Sequence, residues 1–302
     1  MSHHRTAILL NPGSGSINDS DEIKAAIEQN LPEADILISK NPGDIESIAA
    51  RACADGYEAI VAAGGDGTLN EALNGCMSVD RPVTLGLIPL GTGNDFARVV
   101  GLPTDLLQAL QVIRDAHVRK LDVVRVTGAQ TRFMINVAAG GFAGVVSEKL
   151  TPDLKATWGP LSYLRGMMDA LGEMQTYHAR IRIDGGAPEH IPMLNVVVAN
   201  GSHVARGIPI APTADPSDGL MEIVAIREVP LTSLALLAPQ ILAAAHMDNA
   251  EVIHLRARHF SIESKPSMTF NVDGEVMGEG AFEFALLPGA ISFLTPVNPD
   301  RG

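Results

Sequence analysis

The residues best suited to chemistry are gathered in short glycine-rich turns. The most informative is Gly64-Gly65-Asp66-Gly67-Thr68-Leu69-Asn70-Glu71, where three glycines flank one carboxylate and helical spacing begins directly afterwards. Only glycine lets a phosphate chain lie this close to the backbone. A helix N-terminus adds N–H donors and about half a positive charge. Phosphate would repel Asp66 unless a cation lies between them, so the turn implies Mg²⁺. The alternative is that Asp66 only caps the following helix. A second turn repeats the design about 25 residues later: Pro89-Leu90-Gly91-Thr92-Gly93-Asn94-Asp95-Phe96-Ala97-Arg98. A third, Asn11-Pro12-Gly13-Ser14-Gly15-Ser16, has glycines and hydroxyl donors but is equally readable as a plain tight turn. Neither of the first two is a G-x-x-x-x-G-K-[ST] phosphate loop or a G-x-G-x-x-G dinucleotide fingerprint. Farther on, Asp273-Gly274-Glu275 follows a strand and reads as a hairpin turn with two carboxylates. Asp215-Pro216-Ser217-Asp218 is an ordinary turn by composition, whose carboxylates could satisfy their own backbone.

The elements that must position these residues change in texture near residue 120. Before it, short apolar runs at 6–10, 34–39, 59–63 and 84–88 alternate with helical spacing at 20–30, 44–54, 69–74, 95–100 and 106–113. That alternation predicts a doubly wound α/β domain with a parallel sheet. All three glycine turns then fall at the C-terminal ends of strands, the edge where open α/β sheets bind ligands. After residue 120 the chain reads as strands at 121–126, 132–138, 178–184, 193–200, 220–227, 254–261, 268–272, 281–286 and 291–294. Helical inserts at 159–174 and 231–246 interrupt this antiparallel β domain. The expected organisation is therefore 1–120 and 121–302, with the extreme C-terminus free to return to the first domain.

Composition narrows the function. The chain has 302 residues, 46% hydrophobic and 19% charged, enough for a large core. Lys and Arg number 22 against 35 Asp and Glu, a net charge of −13, which disfavours phosphate-neutralising contact with nucleic acid. Cys53 and Cys76 are too few for a disulfide scaffold and lack metal-ligand spacing, as expected of a reducing cytoplasm. No signal peptide fits the N-terminus. The longest apolar stretch, 231–246, spans about 16 residues against the roughly 20 needed to cross a bilayer. A soluble or peripheral protein follows, with no transmembrane segment. His3, His4 and His178 show no partner spacing, and His203 lies in a Gly-Ser-His loop. His254, Arg256 and Arg258 alternate on one predicted strand face and read as a solvated face or a phosphate-facing patch. Met167, Met168 and Met174 read as core or as the lining of an acyl groove.

Taken together, these turns resemble the diacylglycerol kinase catalytic domain, whose superfamily includes bacterial soluble lipid kinases, sphingosine kinases and ceramide kinases. The resemblance continues through Lys120-Leu121-Asp122, residues 133–145, residues 211–220 and Phe270-Asn271-Val272-Asp273-Gly274-Glu275. It covers nearly the whole chain in order. It implies an active site in the cleft between an α/β domain and a β-sandwich-like domain, with ATP and Mg²⁺ as cofactors. The substrate implied is a lipid resembling diacylglycerol, phosphatidylglycerol or a sphingoid base. The nucleotide would be held by Asn11, Gly13, Ser14, Gly15, Ser39, Gly64, Gly65, Asp66, Gly67, Thr68, Leu69, Asn70, Glu71, Gly91, Thr92, Asn94 and Asp95. Glu275 would accept the proton of the lipid hydroxyl, with Asp66 as the second catalytic group. Asp66, Asp95 and Asp122 would support the catalytic Mg²⁺, partly through water. A structural Mg²⁺ would sit on the Asp218 carboxylate and the carbonyls of Asp215 and Leu220. Some relatives carry Lys where this chain has Ser16. The resemblance places the protein in the cytoplasm or at the inner membrane face, and a homodimer is open. Rival readings are an NAD kinase or phosphofructokinase relative and a non-catalytic lipid- or nucleotide-binding regulator.

Overall fold

The computed structural model describes residues 5–15, 20–141 and 175–297. The chain divides into two compact units, one made of residues 1–121 and 289–302 and the other of residues 122–288.

The first unit is built on a parallel sheet. Strands β1 (Thr6–Leu10), β2 (Asp35–Ile38), β3 (Ala59–Gly64) and β4 (Thr84–Pro89) lie in the order β2-β1-β3-β4. The register is Ala7 to Asp35, Thr6 to Ala59 and Ala59 to Thr84. β3 is buried along its whole length, as expected of a strand covered on both faces. The covering helices are α1 (Ser20–Asn30), α2 (Asp44–Ala54), α3 (Asp66–Met77), α4 (Asp95–Val100) and α5 (Leu106–Asp115). Ile8, Leu10, Ile27, Val61, Ala63, Ile88, Leu110 and Ile113 form one core between sheet and helices. α2 and α3 meet at a glycine: a Cβ on Gly75 would stand 2.3 Å from Glu46 O and 2.7 Å from Ala49 Cβ. α3 begins at Asp66, three residues before the start expected from spacing, because Gly67 and Thr68 belong to its first turn.

The second unit is antiparallel. β6 (Thr131–Met134), β7 (Val137–Gly141), β8 (Tyr177–Ile183), β9 (Glu189–Ala199), β10 (Met221–Arg227), β11 (Val252–Ala257), β12 (His259–Lys265), β13 (Thr269–Val272) and β14 (Glu275–Glu279) all belong to it. β9 pairs with β8 through residues 189–193 and with β7 through residues 195–199, while β10 runs along its other edge. Phe260, Phe270, Phe282 and Phe284 stack in the core with centroids 4.7–6.5 Å apart. Helix α6 (Leu231–Leu242) is shorter than the expected 231–246 and buries Leu237 beside Val197 and Val224. The insert expected at 159–174 lies outside the described residues.

Strand β5 (Val118–Thr127) and the long strand β15 (Phe282–Leu294) run through the unit boundaries. Two departures from the expected strands share one cause. The run at 132–138 is split into β6 and β7 because Asp273 takes the backbone N–H groups of residues 135–137. The run at 254–261 is split because Asp184 Oδ1 accepts from both Arg258 N and His259 N. A carboxylate that captures ladder donors ends a strand without any glycine or proline signal. Conversely, 281–286 and 291–294 form a single strand across Pro288-Gly289. In the first unit the end of β15 pairs in parallel with β4, Ser292 opposite Thr84.

Candidate functional site

Three loops converge at the C-terminal edge of the first unit's sheet. Asn11 Nδ2 donates to Thr68 Oγ1 at 3.1 Å, joining the first turn to α3. A Cβ on Gly15 would lie 3.2 Å from Thr92 Cγ2, so the first turn also abuts the Gly91–Gly93 turn. The two larger turns touch backbone to backbone: a Cβ on Gly91 would fall 2.5 Å from Gly65 Cα. Any side chain at Gly91 would push them apart, which is why both turns need glycine there. Leu90 N donates to Gly64 O at 2.8 Å, continuing the ladder into the turns. Helix geometry leaves the N–H groups of Asp66, Gly67 and Thr68 without intrahelical acceptors, and Gly67 is exposed. This is a surface of backbone donors suited to phosphate.

Asp66 is tied to the opposite turn. Its Oδ2 accepts from Asp95 N and its Oδ1 from Phe96 N, both at 3.0 Å. It therefore does not cap its own helix, whose cap is Gly65; it caps α4 instead. Asn94 holds the Gly91 turn closed, accepting from Gly91 N at 3.0 Å and donating to Gly91 O at 2.6 Å. Asp95 pairs with Arg98 at 3.1 Å. A Cβ on Gly93 would meet Asp66 Oδ2 at 3.1 Å and Asp95 Oδ2 at 3.6 Å. Two carboxylate oxygens thus border one space that glycine leaves open. That donor set fits a hard divalent cation, which needs few protein oxygens when phosphates and water supply the rest.

Several expected nucleotide contacts have other tasks. Leu69 is fully buried and its N–H is taken by Gly65 O at 3.1 Å, so neither side chain nor amide can meet a phosphate. Asn70 is 2% exposed and accepts from Asn74 Nδ2. The Glu71 carboxylate accepts from Ile45 N at 3.2 Å, tying α3 to the start of α2. Ser39 is buried, its N–H donating to Leu10 O. Gly13, Gly15 and Thr92 are exposed at the edge. Ser16 lies outside the described residues.

In the second unit, Asp273 organises the turn that carries Glu275. Its carboxylate accepts from Ile135 N at 2.7 Å, Val137 N at 2.8 Å and Asn136 N at 3.2 Å. Asp273 and Gly274 both adopt positive φ, 45° and 97°, which turns the chain sharply into β14. Glu275 emerges there with its carboxylate 40% exposed, held by Arg132 at 2.9 Å to each oxygen. Arg132 was not singled out from the sequence. The only available signal was its place on a strand leading into the Phe133–Val137 stretch, which is not a chemical signal.

Asp122 belongs to this unit and is 2% exposed. Its Oδ2 accepts from Gly219 N at 2.8 Å and its N–H donates to Pro216 O at 2.7 Å, so it anchors the 215–220 loop. Asp122 thus has a structural task within its own unit, alongside the cation-supporting role that the resemblance implies. The expected metal on the loop itself does not fit. Asp218 Oδ1 accepts from Leu220 N at 3.0 Å and its Oδ2 is engaged by Arg256 Nη2. Asp215 O already accepts from Asp218 N at 3.2 Å, and Asp215 Oδ1 accepts from Ser217. His254 and Arg256 face Glu222 rather than a phosphate, at 3.0 and 3.7 Å.

Comparison with known proteins agrees with both units. Residues 5–126 match the diacylglycerol kinase catalytic domain, and residues 135–295 match the YegS C-terminal NAD kinase beta sandwich-like domain. The chain is 32% identical over 295 residues to a diacylglycerol kinase of Staphylococcus carnosus, covering 97% of this chain and 95% of that one. A diacylglycerol kinase of Staphylococcus aureus strain RF122 is 31% identical over the same length, with 97% and 92% covered. The fold matches a crystal structure of a diacylglycerol kinase from Bacillus anthracis with a TM-score of 0.81 at 23% identity, covering 99% of each chain. An NAD kinase from Archaeoglobus fulgidus in complex with ATP shares the fold more distantly, with a TM-score of 0.54 at 15% identity over 97% of this chain and 94% of that one.

Proposed function

The chain belongs to the diacylglycerol kinase family and is a lipid kinase, and on that basis we propose that it transfers the γ-phosphoryl group of ATP to the free hydroxyl of a diacylglycerol-like lipid. The observation that carries the nucleotide half is the meeting of three glycine turns around the Gly93 space, with Asp66 and Asp95 on its border. Phosphoryl transfer depends mainly on positioning and charge neutralisation, and a rigid surface of backbone donors supplies both.

The N–H groups at the start of α3 hold the phosphate chain. Asp66 and Asp95 would hold Mg²⁺, which neutralises charge on the phosphates. Asp66 also fixes α4, so the two carboxylates keep their spacing as the nucleotide enters. Glu275 accepts the hydroxyl proton from the lipid. Arg132 orients its carboxylate, and Asp273 fixes the turn from which Glu275 projects. A lipid alcohol holds its proton tightly, so the base acts chiefly as the phosphoryl group is captured; such assistance typically contributes about 10²–10⁴-fold.

The substrate lies in a membrane, and no helix among the described residues is long and apolar enough to cross one. In the proposed reaction the protein meets its lipid at the inner membrane face and draws ATP from the cytoplasm, in phospholipid metabolism. The test is phosphoryl transfer from labelled ATP into a lipid extract, followed by separation of the products. Label in a phosphatidate-like product supports diacylglycerol; label in phosphorylated sphingoid base or in NADP assigns the acceptor elsewhere.

A further inference from the structure

The family resemblance brings a divalent ion to the 215–220 loop, yet this chain already holds a cation there. Glu222 on β10 stands directly opposite Arg256 on β11 in the antiparallel register. Arg256 Nη2 donates to Asp218 Oδ2, and its Nε lies 3.7 Å from Glu222 Oε1. Glu222 is 1% exposed, a burial that a carboxylate tolerates only with partners. Those partners are Thr213 Oγ1 at 2.9 and 3.0 Å, His254 Nε2 at 3.0 Å and the guanidinium. One arginine thus bridges the loop carboxylate and a buried carboxylate of the sheet.

We infer that Arg256 is the resident cation of the 215–220 loop, so that the loop folds without a metal. A loop of this kind needs a positive charge to draw its carboxylate and carbonyls inward. The guanidinium supplies it from a strand that is itself part of the sheet. It also takes the Asp218 oxygen a metal would need, and its charge repels a second cation. Mg²⁺ demands near-octahedral oxygen ligands at short range. One shared carboxylate and two neutral carbonyls, one of them already accepting from Asp218 N, do not provide them. On its other side the loop is pinned by Asp122, through Gly219 N and Pro216 O. The bidentate shape of arginine suits this bridging, whereas lysine would offer only a point charge.

The test is thermal unfolding without nucleotide, in EDTA and in millimolar Mg²⁺, and it includes no phosphoryl-transfer assay, so it stands apart from the proposed reaction. The wild-type midpoint is expected to be the same in both buffers. Arg256→Met is expected to unfold about 2–4 °C lower in EDTA. Recovery of that variant by Mg²⁺ would be the strongest support, because the ion would take the place the guanidinium left. Arg256→Lys, which keeps the charge, is expected to lie closer to wild type and to ignore the metal. A wild-type midpoint that drops in EDTA, with the drop absent from Asp218→Ala, would put a metal in the loop and overturn the inference. So would an Arg256→Met variant as stable as wild type in EDTA.

Discussion

The Asp66 carboxylate caps a helix to which it does not belong, taking the N–H of Asp95 and of Phe96 at 3.0 Å each. One side chain thereby locks two glycine turns together and sets the distance between the two acids beside Gly93. Its structural and chemical tasks can be separated by experiment.

Asp66→Asn removes the charge and replaces one accepting oxygen with an NH₂ group that faces a backbone N–H. Phosphoryl transfer is expected to fall by at least about 10²-fold, the usual loss for a preorganised electrostatic element. Stability is expected to fall by about 1 kcal/mol, as for a lost helix cap. Wild-type turnover with only the stability loss would reduce Asp66 to a cap.

Glu275→Gln keeps shape and hydrogen bonding but removes the proton acceptor. The expected result is a kcat lower by about 10²–10⁴-fold with ATP affinity, measured by calorimetry, unchanged. A raised KM at constant kcat would mean a ground-state contact instead. An unchanged kcat would pass the role of base to Asp66.

Arg132 grips both oxygens of Glu275, so Arg132→Lys keeps the charge and loses the orientation. Lipid turnover is expected to fall by about 10–10²-fold through misplacement of the base. ATP affinity is expected to stay constant. If the Glu275→Gln background shows the same further loss on adding Arg132→Lys, Arg132 acts independently of Glu275.

Asp273→Ala strands the N–H groups of Ile135, Asn136 and Val137. With unmet buried donors costing about 1–3 kcal/mol each, urea unfolding is expected to show a loss of at least about 2 kcal/mol. Near-wild-type stability would mean that water replaces the carboxylate and that the turn is held by Gly274 alone.

The first unit was largely legible in the amino-acid order. Its strands are continuous apolar runs, because a parallel sheet is covered on both faces, and its glycine turns announce themselves by composition. Asp66 and Asp95 stood out within glycine-rich turns that precede helices, whereas Asp273 and Glu275 read as a plain hairpin turn until the family resemblance gave them a role. What the carboxylates bind could not be read there. Asp66 meets Asp95 across 29 positions, and Arg132 meets Glu275 across 143. Such pairs depend on strand register, which spacing within one segment does not encode. Strand ends in the second unit escaped for the same reason: Asp184 and Asp273 stop β11 and β6 by capturing donors from remote segments. The loop at 215–220 shows the division most clearly. Its sequence supplies Asp218 and the turn, but only the pairing of β10 with β11 brings Arg256 to it, because Glu222 and Arg256 become neighbours when the strands align.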